Sequence, residues 1–108
     1  MMQERGSNRG EKIIVHVDPD LKAIVPGFLE NRQKDIRFIL AALERGDYET
    51  IQTLGHTMKG DGGGYGFDAI TDMGGCLEQA AKNKNTDEIR KLARQLAAYL
   101  DRVEVVYE

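Results

Sequence analysis

Cysteine is almost missing from this chain. Cys76 stands alone, so no intramolecular disulfide can form and the chain reads as intracellular and cytoplasmic. Nor is there a cysteine pair to build a structural zinc site. An excess of positive charge is also lacking. Fifteen Lys and Arg against eighteen Asp and Glu leave a net charge of -3, which argues against general binding to nucleic-acid phosphates. No apolar run approaches the roughly 18 residues of a membrane span. Proline occurs twice, as Pro19 and Pro26, both in the first quarter. Residues 1–12 have no apolar stretch of the secretory kind; polar and glycine-containing, they read as a flexible leader. The other residues, 13–108, fit one domain, and 41% hydrophobic with 31% charged residues is a folding composition.

Glycine, by contrast, is concentrated. Eight of the twelve glycines lie between positions 55 and 75. Three of them, Gly62, Gly63 and Gly64, are consecutive, and each costs a helix roughly 1 kcal/mol relative to alanine. Something local requires them.

The hydrophobic pattern around this cluster is helical. Val25, Phe28, Leu29, Ile36, Ile39, Leu40 and Leu43 recur at three- and four-residue spacing, with Arg32 interrupting the stripe. After a short turn at 20–24 this predicts a helix from 26 to 45, with Pro26 in its first turn. Gly46 stops it and Asp47 caps the next. A second helix carries Tyr48, Ile51, Leu54 and Met58 inward. A third starts at Phe67, with Ile70, Met73, Leu77, Ala80 and Ala81 inside. Asn85 or Thr86 caps a fourth, whose stripe is Ile89, Leu92, Ala93, Leu96, Tyr99, Leu100 and Val103. Four amphipathic helices on short connections predict an all-α, antiparallel up-down four-helix bundle. The β-branched runs 13–17 and 103–107 lie at opposite ends. Either they pair as a small ribbon, or the second is the fraying end of the last helix.

On a helical wheel His56 leaves the core. With Ile51 at zero and 100° per residue, His56 falls at about 140°, Lys59 at about 80°, Gln52 at about 100°, Gly63 at about 120° and Gly60 at about 180°. Gly55 and Gly62 fall on the inward arc, where close helix packing is the simplest use for them; Gly64 has no evident task. His56 and Lys59, three apart, are neighbours. An exposed imidazole is a nucleophile at neutral pH, the lysine supplies a positive charge, and bare backbone at Gly60 and Gly63 admits a partner. That set suits a phosphoryl acceptor reacting with another protein better than a small-substrate enzyme, which needs a pocket and a second acid or base.

The segment Leu54-Gly55-His56-Thr57-Met58-Lys59-Gly60, followed by Gly63 and Gly66, resembles the His-x-x-Lys-Gly signature of histidine-containing phosphotransfer (HPt) domains. The resemblance runs from about residue 20 to 103. It implies a carrier that moves phosphoryl groups between aspartates of receiver domains, belonging to response regulators and hybrid sensor kinases, in two-component phosphorelays. His56 would accept the phosphoryl group through Nε2, and Lys59 would stabilise it. Gly60 would give the receiver room, with Gly63 and Gly66 assisting close packing. On the wheel Gln52 shares the partner-docking arc with Gly60 and Gly63; it is a candidate for a hydrogen bond to the imidazole, and its plainer reading is an exposed polar group of the helix. No cofactor or metal belongs to the chain; the Mg²⁺ would sit on the receiver. Without an ATP site the domain would be a carrier and not a kinase. Asp61 departs from the small residue many members have there, and the wheel turns it away from His56.

Plainer readings cover the other residues. His16 is an exposed strand residue, Cys76 a half-buried structural thiol, and Asp68 and Asp72 are capping or macrodipole residues. Gly74 and Gly75 allow close helix contact, Gly74 with the stronger case. The alternative function is an unphosphorylated bundle that docks receiver domains or another signalling protein. It would have no need for the intact His56–Lys59–Gly60 set. The Met1-Met2 start favours an independent chain, and an exposed transfer face favours a monomer.

Overall fold

A computed structural model describes residues 11–108, so most of the expected leader 1–12 lies outside the described residues. Strand β1 (Ile13–Val17) leads through a 3₁₀ turn (Pro19–Leu21) into four helices: α1 (Val25–Glu44), α2 (Tyr48–Gly64), α3 (Asp68–Lys82) and α4 (Thr86–Arg102). Strand β2 (Val103–Tyr107) follows. Each helix packs on its sequence neighbours, and α4 closes back on α1, which completes a four-helix bundle.

The helix boundaries follow from local chemistry. Asp47 caps α2, its carboxylate accepting from the Thr50 N–H at 3.1 Å, and Asn85 caps α4 by accepting from the Glu88 N–H at 3.2 Å. Phe67 caps α3 without a side-chain bond, so Asp68 sits in the first turn and does not cap.

Three helices end in the same device. The residue two past the cap residue's predecessor turns left-handed: Gly46 (φ 69°), Gly66 (φ 89°) and Lys84 (φ 53°). The next N–H then reaches back to the last turn, as Phe67 N–H does to the Gly62 carbonyl at 2.8 Å. Gly66 is therefore needed for its backbone angle. A Cβ there would meet only the His16 carbonyl, at 3.8 Å, so Gly66 does not serve close packing as expected.

The two terminal runs do pair. β1 and β2 form a parallel ribbon, with Ile13 opposite Val103 and Val17 opposite Tyr107. At Val103 the backbone becomes extended (ψ 136°), which ends α4 and excludes a frayed helical tail. Ile13, Val15 and Val17 face the bundle while Ile14 and His16 face solvent, the alternation of a half-buried strand. His16 Nδ1 meets the Glu108 carboxylate at the ribbon's open end.

The core is apolar except at one place. Ile39, Ile51, Phe67, Ile70, Ile89 and Val25 are fully buried. Arg32 is buried among them, its guanidinium 4.9 Å from the Phe28 ring centre. Its Nε lies 2.8 Å from Asp35 Oδ2, an ion pair without the alignment of a good hydrogen bond, and Asp61 Oδ2 lies 3.8 Å from Nη1. Burial pushes the Asp35 carboxyl above its ordinary range, outweighing the opposing pull of Arg32. Cys76 is exposed, not half-buried: it points away from the α3 face that carries Leu77 and Ala80.

Candidate functional site

The site rests on how closely α2 and α3 approach. A Cβ on Gly55 would lie 2.7 Å from the Glu78 backbone nitrogen, and one on Gly74 would lie 2.5 Å from that of Lys59. One on Gly62 would lie 2.7 Å from the Thr71 nitrogen. No side chain fits at these positions, so the two helices touch backbone to backbone. The packing expected of Gly55, Gly62 and Gly74 is present. The packing expected of Gly63 is not: it is exposed and meets only Thr71 Oγ1, at 3.5 Å. Gly75 meets only the flexible Lys59 side chain.

This contact delivers an acidic side chain that the sequence reading missed. Glu78, one turn after Gly74 on α3, reaches across to α2. Its Oε2 lies 3.2 Å from His56 Nδ1 and its Oε1 3.9 Å from Lys59 Nζ. One carboxylate thus faces both members of the His–Lys pair. The signal was present in principle, since a polar residue one turn from a helix-crossing glycine lies beside the crossing. Nothing in the periodicity of α2 reveals it.

The imidazole is held on one side and open on the other. The His56 side chain is 73% exposed and Glu78 only 19%. A carboxylate only accepts, so Nδ1–H donates to Glu78, and in the neutral ring this tautomer leaves the lone pair on Nε2. Lys59, 55% exposed, lies one turn along α2 and is held only loosely by Glu78. Nothing comes within 4 Å of the place a Gly60 side chain would fill, nor of that at Gly64.

Gln52 is half-buried and shares a shallow depression with Glu49, Thr53 and His56. Glu78, not Gln52, holds the imidazole Nδ1. Asp61 is directed to Arg32 on α1. Among the described residues no three His, Cys, Asp or Glu side chains converge as a metal site, and no helix is long and apolar enough to cross a membrane.

Compared with known families, residues 24–105 match the Hpt domain. The chain belongs to the Hpt domain family. This places it among histidine-phosphotransfer signalling proteins, carriers without a kinase site that work with receiver domains. No curated protein and no solved structure matches it. The match to the Hpt domain covers all four helices and stops within β2; strand β1 lies outside it.

Proposed function

We propose that this Hpt domain carries a phosphoryl group on His56 between receiver-domain aspartates in a two-component phosphorelay. The observation that carries the reading is the imidazole itself: largely exposed, fixed at Nδ1 by Glu78, and free at Nε2.

The step follows from that geometry. The Nε2 lone pair attacks the phosphorus of a receiver's aspartyl phosphate in line with the bond to be broken. The N–P bond forms as the P–O bond to the aspartate breaks, and the aspartate leaves as a carboxylate with the electron pair. Nδ1 keeps its proton, so positive charge develops on the ring, where Glu78 faces it. Lys59 can leave its loose contact with Glu78 and meet the phosphoryl oxygens. The reverse step passes the group to the next aspartate. The bare backbone at Gly60, with Gly63 one turn on, lets the receiver approach. In this reading the assisting Mg²⁺ is the receiver's.

Incubation with a phosphorylated receiver domain tests this. Wild type should gain an acid-labile, alkali-stable label, and His56→Gln should gain none. Unchanged labelling of the variant overturns the assignment of His56. Receiver binding without any labelling of wild type overturns the carrier role and leaves a docking module. Gly60→Glu should retain the fold and lose transfer; normal transfer would contradict the account of receiver access.

A further inference from the structure

A second surface of the bundle has the features of a binding groove. It lies between α1 and α4, measures about 300 Å³, and is lined by Ile36, Leu40, Arg90, Ala93, Arg94 and Ala97. None of these belongs to the His56 site, which is built on α2 and α3. Leu40 is 42% exposed and stands beside the partly buried Ile36, so the apolar surface at this place is continuous. Ile36 and Leu40 stand four residues apart on one helix, and Ala93 and Ala97 stand four apart on the other. The walls therefore present an apolar track with helical spacing.

Charge decides what such a track would take. Arg90 and Arg94, also four apart, line the groove. Among the described residues neither has an acidic partner within 4 Å, although the chain as a whole is acidic. Unpaired cations beside exposed apolar side chains complement an acidic, apolar surface. A second copy of the chain is a poor occupant, because a two-fold contact would set these arginines against their own equivalents.

We propose that the α1–α4 groove docks an amphipathic helix of a partner protein, its apolar stripe on Ile36, Leu40, Ala93 and Ala97 and its acidic border on Arg90 and Arg94. The groove is separate from His56, so the partner can hold the domain while a receiver reaches the imidazole. The inference does not depend on phosphorylation.

The probe is a synthetic helical peptide of about 18 residues with a leucine stripe bordered by glutamate, and a twin with lysine in place of glutamate. Titration of the labelled protein followed by amide NMR gives both affinity and location. The glutamate peptide should shift resonances around Ile36, Leu40, Ala93 and Ala97, and bind roughly tenfold tighter than its twin. Arg90→Glu with Arg94→Glu should reverse that preference, and Leu40→Asp should weaken both peptides. Leu40, Arg90 and Arg94 are exposed, and circular dichroism confirms the fold of each variant. Equal affinity for the two peptides, shifts confined to α2 and α3, or no binding overturns the proposal. So does concentration-dependent self-association through the groove, or adsorption to phosphatidylserine vesicles without peptide binding.

Discussion

A carboxylate 3.2 Å from Nδ1 does two things to an imidazole. It selects the tautomer with Nε2 unprotonated, and it restrains the ring so that Nε2 faces outward. Glu78→Ala should therefore leave the fold intact and slow phosphoryl transfer by about 10–100-fold, the scale seen when a ring-orienting partner is removed. Glu78→Gln should recover part of the rate, because its amide oxygen still accepts from Nδ1–H. Stopped transfer assays on the three proteins check this; equal rates would show that the ring needs no partner. The Arg32–Asp35 pair is a contrasting case, since both charges are buried away from the site. Asp35→Ala leaves the arginine with only the distant Asp61 and should cost about 3 kcal/mol in urea unfolding. Arg32→Met with Asp35→Leu should be neutral or stabilising, because two desolvated charges vanish together.

At the scale of elements, the glycines of α2 divide by what surrounds them. Gly64 faces open space, so Gly64→Ala should stabilise the domain by about 0.5–1 kcal/mol. Gly55→Ala forces a methyl group against the α3 backbone and should destabilise by about 1–3 kcal/mol. It should also slow transfer, because parting α2 from α3 withdraws Glu78 from His56. Thermal unfolding and transfer assays on the two variants separate these outcomes. The cap of α2 has a pH signature. Hydrogen bonds from Thr50 hold the Asp47 carboxyl below its ordinary value of 3.8. Its stabilising contribution is therefore present above the unfolded-state pKa and lost as pH falls through the lower folded-state value. Asp47→Asn keeps the cap and should flatten this part of the acid unfolding profile.

For the whole molecule, the ribbon joins the beginning of the described chain to its end. Val17 is buried on the bundle, and the Arg102 guanidinium donates to the Glu11 carbonyl at 3.1 Å. Deleting residues 103–108 should lower the melting temperature by several degrees, since a loss of about 1 kcal/mol shifts a domain of this size by roughly 4–8 °C. Phosphotransfer should persist. β1 passes the turn after α2 at Gly66, and His56 lies eight residues before the last residue of α2, about 12 Å back along the helix.

Much of this molecule was legible before folding was considered. Helix periods, the caps Asp47 and Asn85, the stop at Gly46 and the outward turn of His56 with Lys59 depend on residues within a few positions of one another. Local spacing therefore determines them. The pairing of residues 13–17 with 103–107 stayed open because it joins segments some ninety positions apart. Burial of Arg32 and exposure of Cys76 depend on which flank of a helix meets a neighbour. Glu78 is the clearest case: a glutamate on α3 becomes part of the site only because glycines let α2 and α3 touch. The sequence by itself determined which side chains could do the chemistry, since that is a property of residue type and helical spacing. Only the tertiary structure decided which of them meet, because contact across helices depends on how closely two backbones can pack.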